Sequence, residues 1–425
     1  MSWSRWYAIK SYLISTMWIS PIIAIALEQV TFRLSYVQHF DFGWVPGFVF
    51  DREGSIAAMD YIVSSSIAFL VFTFSSLLVA IQVSSGQLTP RIIATTLLPD
   101  KAIRSTVAIF AYALLLAIAV RSRIDTIPHF LVSLATILGL FNLVTFIFLI
   151  DYAARLLRPV SIMVRVAERG LTVLEDVYPE MHADKSIAVN HIGKLGPPDL
   201  TILHEGRSAI VIAINLSALI AIAKKANCII EVAPRVGDFV ALGDPLFLLR
   251  GAGTTEIDER ALRGQVAFGS ERTIEQDATF AFRVIVDIAI KALSPGINDP
   301  TTAVLAIDQL QRLLRTVGQR SLHDEKILDE NGQFRLIFRT PNWTDFVQLT
   351  FAEIRQYGAE SFQVGRRLRA MIENVMQSLP EDRRPALRQE LALLDRAAER
   401  YHVFPEDLAL ARVSDSQGLG GSSGP

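Results

Sequence analysis

The chain has 425 residues, 51% of them hydrophobic, and a mean hydropathy of +0.35 although 20% of its residues are charged. A net charge of −2 excludes an overall basic field for nucleic acid, and a single cysteine, Cys228, excludes an internal disulfide framework. Every long apolar stretch lies before about residue 151. The composition therefore predicts an integral membrane protein with a large water-soluble region.

Residues 1–157 are predicted to form a transmembrane domain with four spans. The apolar segments lie at about residues 11–30, 61–84, 103–121 and 127–150. A helix needs roughly 20 residues to cross the hydrocarbon core, so the first and third segments include flanking residues. A second interpretation of the first segment is a signal peptide, because basic residues precede it and Ala24-Ile25-Ala26 lies near its end. We favour a retained span.

The distribution of charge around these segments predicts their orientation. Basic residues precede the first span, lie between the second and third, and follow the fourth, whereas the segment between the first two spans is mostly acidic. Positively charged loops stay on the cytoplasmic side. The sequence therefore predicts a multi-pass protein of the bacterial inner membrane with both termini in the cytoplasm.

The second apolar segment is unusually rich in hydroxyl and amide side chains. At helical spacing these side chains share a broad face with Phe69 and Ala80. A hydroxyl-rich face can line a water-filled path, but small polar residues also let helices pack closely and hydrogen-bond to one another. For a single chain we favour packing, and in an oligomer the same helix could do both. The candidate pore-lining or packing residues are Ser65, Thr73, Ser76, Ser84 and Gln87.

The soluble region begins with a small β-rich module, predicted over residues 158–255. A strand at Ser208–Ile214 is followed by a helix at Leu216–Lys225, and Gly237 and Gly243 then provide tight turns. This glycine-turned segment resembles half of a lipoyl- or biotinyl-type barrel. It lacks a lysine in the carrier position, so we interpret it as structural. A mostly helical subdomain at 256–412 and a disordered tail or cloning remnant at 413–425 are predicted to follow.

Two polar segments flank an apolar helix that ends at Ala292. Before it lie Arg272 and Asp277, and after it Asn298, Asp299 and Thr301 precede or begin another helix. We consider all five to be candidate ligand or interface residues. A helix start lined by Asn298 and Thr301 can bind an anion, but Asp299 opposes this by its charge and is also a suitable N-cap. The favoured interpretation of this corner is structural.

Four segments together resemble a known family. They are Ser75–Arg91, the turn Gly237–Val240, the run Arg272–Asp277 and the corner Ala292–Pro300. They are similar to a bacterial family of predicted membrane proteins known as domain of unknown function 2254, and the resemblance extends to about Arg400. It implies four spans and a cytoplasmic domain, and it brings no assigned catalytic or binding residues.

The expected fold is thus an α-helical membrane domain of four transmembrane helices plus an α+β cytoplasmic domain, with a small glycine-turned β module and a helical C-terminal part. The sequence contains no phosphate loop, no nucleophile elbow, no zinc-protease motif and no dinucleotide fingerprint, so we expect a protein that is not an enzyme and uses no metal or cofactor. Its expected partners are the lipid bilayer and further copies of itself.

Two functions fit these features. The leading hypothesis is a homo-oligomeric, channel-like conduit whose cytoplasmic domain assembles or gates it. The alternative is a membrane-anchored sensor or scaffold whose cytoplasmic domain binds a small ligand or a protein. The sequence identifies neither the permeant ion nor the ligand.

Overall fold

The computed structural model describes residues 3–15, 19–37, 51–87, 100–125, 129–156, 158–182, 196–251, 253–254, 257–322 and 326–420. The chain divides into two compact units. The helical unit comprises Tyr12–Gly86 and Pro90–Ile162. The α/β unit comprises Met1–Ser11, Gln87–Thr89 and Met163–Pro425, so it includes the first residues of the chain as well as its last two thirds.

The first part of the chain is helical. Its helices are α1 (Trp3–Ser15), α2 (Ile19–Val37), α3 (Arg52–Gln87), α4 (Lys101–Ser122) and α5 (His129–Leu156). Within the described residues, three stretches are long and apolar enough to cross a membrane, namely Arg52–Gln82, Lys101–Ser122 and Phe130–Arg155.

The predicted first span, 11–30, is not one of these three. It starts in α1, passes through residues 16–18, which lie outside the described part of the chain, and continues in α2. Helix α2 contains two charged residues, Glu28 and Arg33. The four predicted spans are therefore not confirmed, whereas a helical N-terminal region with candidate membrane spans is.

Ion pairs and hydrogen bonds align the helices within this unit. Arg52 at the start of α3 pairs with Asp125 just after α4, with 2.7 Å between Nε and Oδ1. Arg121 and Asp60 pair at the same end, at 3.0 Å. The two helices therefore run antiparallel. Helix α2 packs on α4, where the hydroxyls of Thr31 and Tyr112 are 2.9 Å apart.

The α/β unit contains two sheets. The strands are β1 (Leu200–Leu203), β2 (Ala209–Ile214), β3 (Ile229–Val232), β4 (Phe239–Val240), β5 (Pro245–Arg250), β6 (Val266–Gly269), β7 (Lys326–Leu328) and β8 (Phe334–Phe338). One sheet has the order β1-β5-β3-β8-β7, with β3 and β8 parallel, and the other has the order β4-β2-β6. Strands β6, β7 and β8 lie within residues 256–412, which were predicted to be mostly helical.

Helices fill the rest of the chain. They are α6 (Pro159–Val177), α7 (Leu216–Lys225), α8 (Glu259–Arg263), α9 (Ala278–Ala292), α10 (Pro300–Gly318), α11 (Trp343–Gly358), α12 (Phe362–Ser378), α13 (Arg384–Tyr401) and α14 (Pro405–Ala411), with a 3-10 turn at Glu381–Arg383. Helix α9 is buried along most of its length, in contact with α10 and α11, and carries one polar stripe formed by Arg283, Asp287 and Lys291. The predicted strand-to-helix change after residue 208 is confirmed, and Asn215 caps α7 by accepting from the Ala218 amide.

The tail that we expected to be disordered from residue 413 is held in place as far as residue 420. The fully buried Arg366 donates to the carbonyls of Val413 at 2.9 Å and Gly420 at 3.0 Å. The Asp415 carboxylate accepts from three backbone amides, the shortest being that of Gly420 at 2.7 Å. A Ser/Gly-rich composition predicts flexibility, but these side chains satisfy the tail's backbone. Residues 421–425 lie outside the described part.

Candidate functional site

A polar concavity lies inside the α/β unit. It is a cleft of about 250 Å³, formed where the segments following β3 and β8 meet the starts of α9 and α11 and the end of α6. Because β3 and β8 are adjacent and parallel, their carboxyl ends lie at the same edge of the sheet, which is where α/β proteins bind ligands. The polar residues that line the cleft include Tyr178, Arg235, Asp238, Arg272, Asp277 and Arg339.

Arg272 and Asp277 form a closely bonded pair in this cleft. The distance from Arg272 Nη2 to Asp277 Oδ2 is 2.6 Å, and the Asp277 carboxylate is only 4% exposed. Asp277 also caps α9 by accepting from the Phe280 amide at 3.1 Å. The Arg272 guanidinium lies 5.7 Å from the centre of the Phe280 ring. The pair therefore fixes the start of α9, while the Arg272 side chain stays 36% exposed and borders the cleft.

Gly237 is needed for the close approach of its turn to Arg272. Its φ is +91°, and a Cβ at this position would lie 2.4 Å from Arg272 Nη2. Any other residue would be strained and would collide with the guanidinium. The glycine of the predicted turn thus positions one wall of the cleft.

Arg235 and Arg339 are different from Arg272, because neither guanidinium has a hydrogen-bond partner within the described residues. Their side chains are 42% and 51% exposed. The nearest carboxylate oxygens, of Asp345 and Glu231, lie 3.9 and 3.8 Å away, which is beyond hydrogen-bonding distance. Two arginines with unused donors therefore line the cleft.

The carboxylates of the cleft are already bonded. Asp238 accepts from the Arg235 amide at 2.8 Å, which stiffens the turn. Asp345 accepts from the Asn342 amide at 3.0 Å, as part of the capping box of α11. Each of these carboxylates already accepts a hydrogen bond from a nearby backbone amide. The guanidinium donors are therefore the groups available to an incoming ligand.

Tyr178 provides a buried phenol in the cleft. Its ring packs against Phe346, with 6.4 Å between ring centres. Burial raises the pKa of Tyr178 above the ordinary range, and the nearby charge of Asp277 raises it further. At neutral pH the group is therefore protonated and can donate a hydrogen bond.

The five predicted ligand residues do not form one site. Arg272 and Asp277 line the cleft, but Asn298, Asp299 and Thr301 lie beyond the other end of α9, a 15-residue helix about 22 Å long. Asp299 caps α10, as predicted, by accepting from the Thr302 amide at 3.0 Å. Asn298 has a φ of +48° and Thr301 is exposed. These three residues form the structural corner that the sequence favoured.

The polar face of α3 makes the contacts of a packed helix. Ser65 donates to the Ile62 carbonyl at 3.2 Å and the buried Thr73 donates to the Phe69 carbonyl at 2.7 Å. Thr73 and Ser76 border an otherwise apolar cavity of about 20 Å³, which has room for about one water molecule. The side chains of Ser84 and Gln87 lie outside the described residues. A pore-lining role for these residues stays a prediction.

Arg235 and Arg339 are the residues that sequence reasoning missed. Both lie within a few residues of the end of a strand, Arg235 after β3 and Arg339 after β8, and this position was the available signal. What the sequence could not supply is that β3 and β8 are parallel neighbours. Without that pairing, two separate arginines do not indicate a common site.

Comparison with known proteins now identifies the family. A family model described as "Predicted membrane protein (DUF2254)" matches residues 7–374. The chain belongs to this family. It is 26% identical over 430 residues to uncharacterized proteins of Mycobacterium bovis and Mycobacterium tuberculosis, covering 96% of this chain and 81% of each relative. No solved structure matches the chain.

The family description agrees with the apolar helices of the N-terminal region, and the resemblance inferred from sequence motifs is confirmed. Family membership describes a membrane protein and assigns no residue a role. The geometry of the cleft is thus the basis for any functional conclusion.

Proposed function

We propose that this protein is a membrane-anchored binding protein whose α/β unit takes a small oxyanion, of phosphate or carboxylate type, in the cleft. The observation that carries this proposal is the pair of half-exposed arginines, Arg235 and Arg339, whose guanidinium groups have no hydrogen-bond partner among the described residues. The role corresponds to the sensor alternative of the sequence analysis.

The chemistry of the cleft favours an anion over a cation or a neutral solute. A guanidinium presents planar, paired N–H donors that match the oxygens of a phosphate or carboxylate group, and such charge-assisted bonds are stronger than neutral ones. A volume of about 250 Å³ is smaller than the usual pocket for a drug-sized ligand, so the bound group is compact. The Tyr178 hydroxyl adds a neutral donor.

The channel-like function receives less support from the geometry. Ser65 and Thr73 on α3 bond to carbonyls of the same helix, and the cavity beside Thr73 and Ser76 is only about 20 Å³. No observation on the described residues favours a conduit over close packing. A homo-oligomeric channel therefore stays a prediction of the sequence alone, and the binding role is the one we put forward.

The charge distribution of the loops supports a cytoplasmic position for the α/β unit in a bacterial inner membrane. The proposed ligand is therefore a metabolite or ion of the cytoplasm, and the membrane helices anchor its binding protein.

Calorimetry on the full-length protein in detergent tests this function. The probes are inorganic phosphate, pyrophosphate and succinate, and we expect at least one to bind saturably. The double variant Arg235→Gln/Arg339→Gln should lose about tenfold or more in affinity, because each charge-assisted hydrogen bond contributes about 1.5–3 kcal/mol.

Arg396→Gln is the matched control, since Arg396 is an exposed arginine on α13 and does not line the cleft. It should bind like the unmodified protein. The proposal is wrong if none of the three anions binds saturably, or if the double variant binds them as tightly as this control.

A further inference from the structure

The loop Arg272–Asp277, which lines the cleft, also contacts α1, the N-terminal helix of the chain. Trp3 and Tyr7 of α1 pack against Ile212, Ala213 and Ala267 on the three-stranded sheet. Their rings stand 5.2 Å apart. The Ser4 amide donates to the Gly264 carbonyl at 3.2 Å, which anchors the start of α1 on the same surface. The beginning of the chain is therefore a structural part of the α/β unit.

Tyr7 also bonds to the loop that lines the cleft. Its hydroxyl hydrogen-bonds to the Glu275 carboxylate. Burial raises the pKa of Tyr7 above the ordinary range, and the bond to Glu275 raises it further. The phenol is thus a protonated donor at neutral pH, and the bond persists across the physiological range.

Three consecutive residues of this loop contact three different elements. Glu275 bonds to α1, and Gln276 accepts from the Ile214 amide of β2 at 3.0 Å. Asp277 holds Arg272 in the cleft and caps α9. If Asp277 moves, its neighbours in the loop must move with it or break their bonds, because Gln276 is bonded to β2 and Glu275 to α1.

We infer that the loop Arg272–Asp277 transmits occupancy of the cleft to α1, so that a bound oxyanion tightens the attachment of α1 to the α/β unit. This inference rests on the proposed function. The ligand's negative charge acts on Arg235, Arg339 and the partly exposed Arg272, and so restrains the loop that carries Glu275. Helix α1 continues in sequence towards α2 in the helical unit. The proposed coupling therefore ends at an element that continues in sequence towards the helical unit.

Thermodynamic linkage gives the inference a measurable consequence. If the ligand tightens α1, then the contacts of α1 must raise ligand affinity by the same factor. Tyr7 does not line the cleft, so a merely structural Tyr7 would leave affinity unchanged. We expect Tyr7→Phe, which removes only the hydroxyl, to weaken phosphate binding by about fivefold, the lower end of typical coupling between sites.

Hydrogen exchange with mass spectrometry on the full-length protein in detergent tests the coupling directly. Phosphate should slow amide exchange in residues 3–11 of the unmodified protein, and this response should be lost in Tyr7→Phe and in Glu275→Gln. The double variant Tyr7→Phe/Glu275→Gln should show no loss of affinity beyond that of either single change. Trp6→Phe is the matched control, because Trp6 lies on the exposed side of α1.

Calorimetry on the same samples separates this inference from the proposed function. If phosphate binds but exchange in residues 3–11 does not change, or if Tyr7→Phe binds phosphate as tightly as Trp6→Phe, the coupling is wrong and the binding function stands. If no phosphate binds to the unmodified protein, the coupling through phosphate is overturned, and the remaining anions decide the binding function.

Discussion

At the scale of single residues, the arginines of the cleft differ in how firmly neighbouring groups hold them. Arg272 bonds to Asp277, rests on Phe280 and lies against the Gly237 backbone, so its position is fixed by its neighbours. Arg235 and Arg339 are held by no such bonds. A fixed arginine beside two arginines that have carboxylates nearby but no hydrogen-bond partner among the described residues suits a site that keeps its shape when empty and still offers donors to an anion.

Gly237→Ala should destabilise the α/β unit and disturb the cleft. A left-handed backbone costs about 1–3 kcal/mol for a residue with a side chain, and the added Cβ would also collide with Arg272 Nη2. We expect a fall in melting temperature and a loss of phosphate affinity, measured by thermal unfolding and calorimetry on the purified protein.

Gly243→Ala is the control for this variant. Gly243 has nearly the same φ, +89°, but no atom lies within 4 Å of an added Cβ. It should show the backbone strain without the collision. Equal losses of stability and affinity in both variants would mean that the contact with Arg272 is unimportant.

Sequence reasoning was successful at this scale wherever the cause of a feature lies within a few residues. The cap of α10 by Asp299 and the glycine turns needed only local patterns. It failed for Arg235 and Arg339, whose proximity depends on the parallel pairing of β3 with β8. It also failed for the tail, where the ordering group is Arg366, a buried residue of another helix.

At the scale of elements, α3 shows two uses of a hydroxyl in an apolar helix. Thr73 donates to a carbonyl of its own helix at 2.7 Å. Ser66 instead accepts from Asn142 of α5 at 3.0 Å, and both residues are fully buried. The Asn142 carbonyl oxygen has no hydrogen-bond partner within the described residues. Loss of the Ser66 hydroxyl would therefore remove the hydrogen bond of the Asn142 amide between two helices. Loss of the Thr73 hydroxyl would remove only a bond within α3.

Thr73→Val and Ser66→Ala should therefore differ in their effects. Thr73→Val keeps the side-chain shape and removes only an intrahelical bond, so its melting temperature should stay near that of the unmodified protein. Ser66→Ala removes an interhelical bond, which averages about 0.6 kcal/mol in membrane proteins, and leaves the Asn142 amide without a partner. Thermal unfolding in detergent measures both.

The same Thr73→Val variant tests the channel-like hypothesis in liposomes. If α3 only packs, neither the unmodified protein nor the variant carries ion flux above that of empty liposomes. Flux through the unmodified protein that Thr73→Val reduces would restore the conduit and contradict the packing interpretation.

At the scale of the whole molecule, the contacts of α1 bear on the number of membrane crossings. Trp3 and Tyr7 pack on the α/β unit, so we expect the N-terminus and the α/β unit to lie on the same side of the membrane. The three candidate spans between Arg52 and Arg155 give an odd number of crossings. If all three cross the membrane, this placement predicts one further crossing between residue 11 and Arg52.

Helix α2 is the described helix in that interval. Its 19 residues extend about 28 Å, close to the thickness of the hydrocarbon core. It packs on α4 and exposes large apolar side chains such as Ile22, Ile23 and Leu34. Its Glu28 is buried, so this charge does not face outward. We therefore expect α2, at Ile19–Val37, to provide this crossing, which moves the predicted first span of 11–30 further along the chain.

Labelling of introduced cysteines in intact cells with a membrane-impermeant maleimide tests this topology. The natural Cys228 is buried, so background labelling should be low. Cysteines at the exposed Glu53 and Asp125 should react from outside, whereas those at Arg5 and Arg396 should react only after permeabilisation. If α2 does not cross, Arg5→Cys reacts together with Glu53→Cys. That result would also contradict the packing of α1 on the sheet, because Tyr7 and Glu275 would then lie on opposite sides of the membrane.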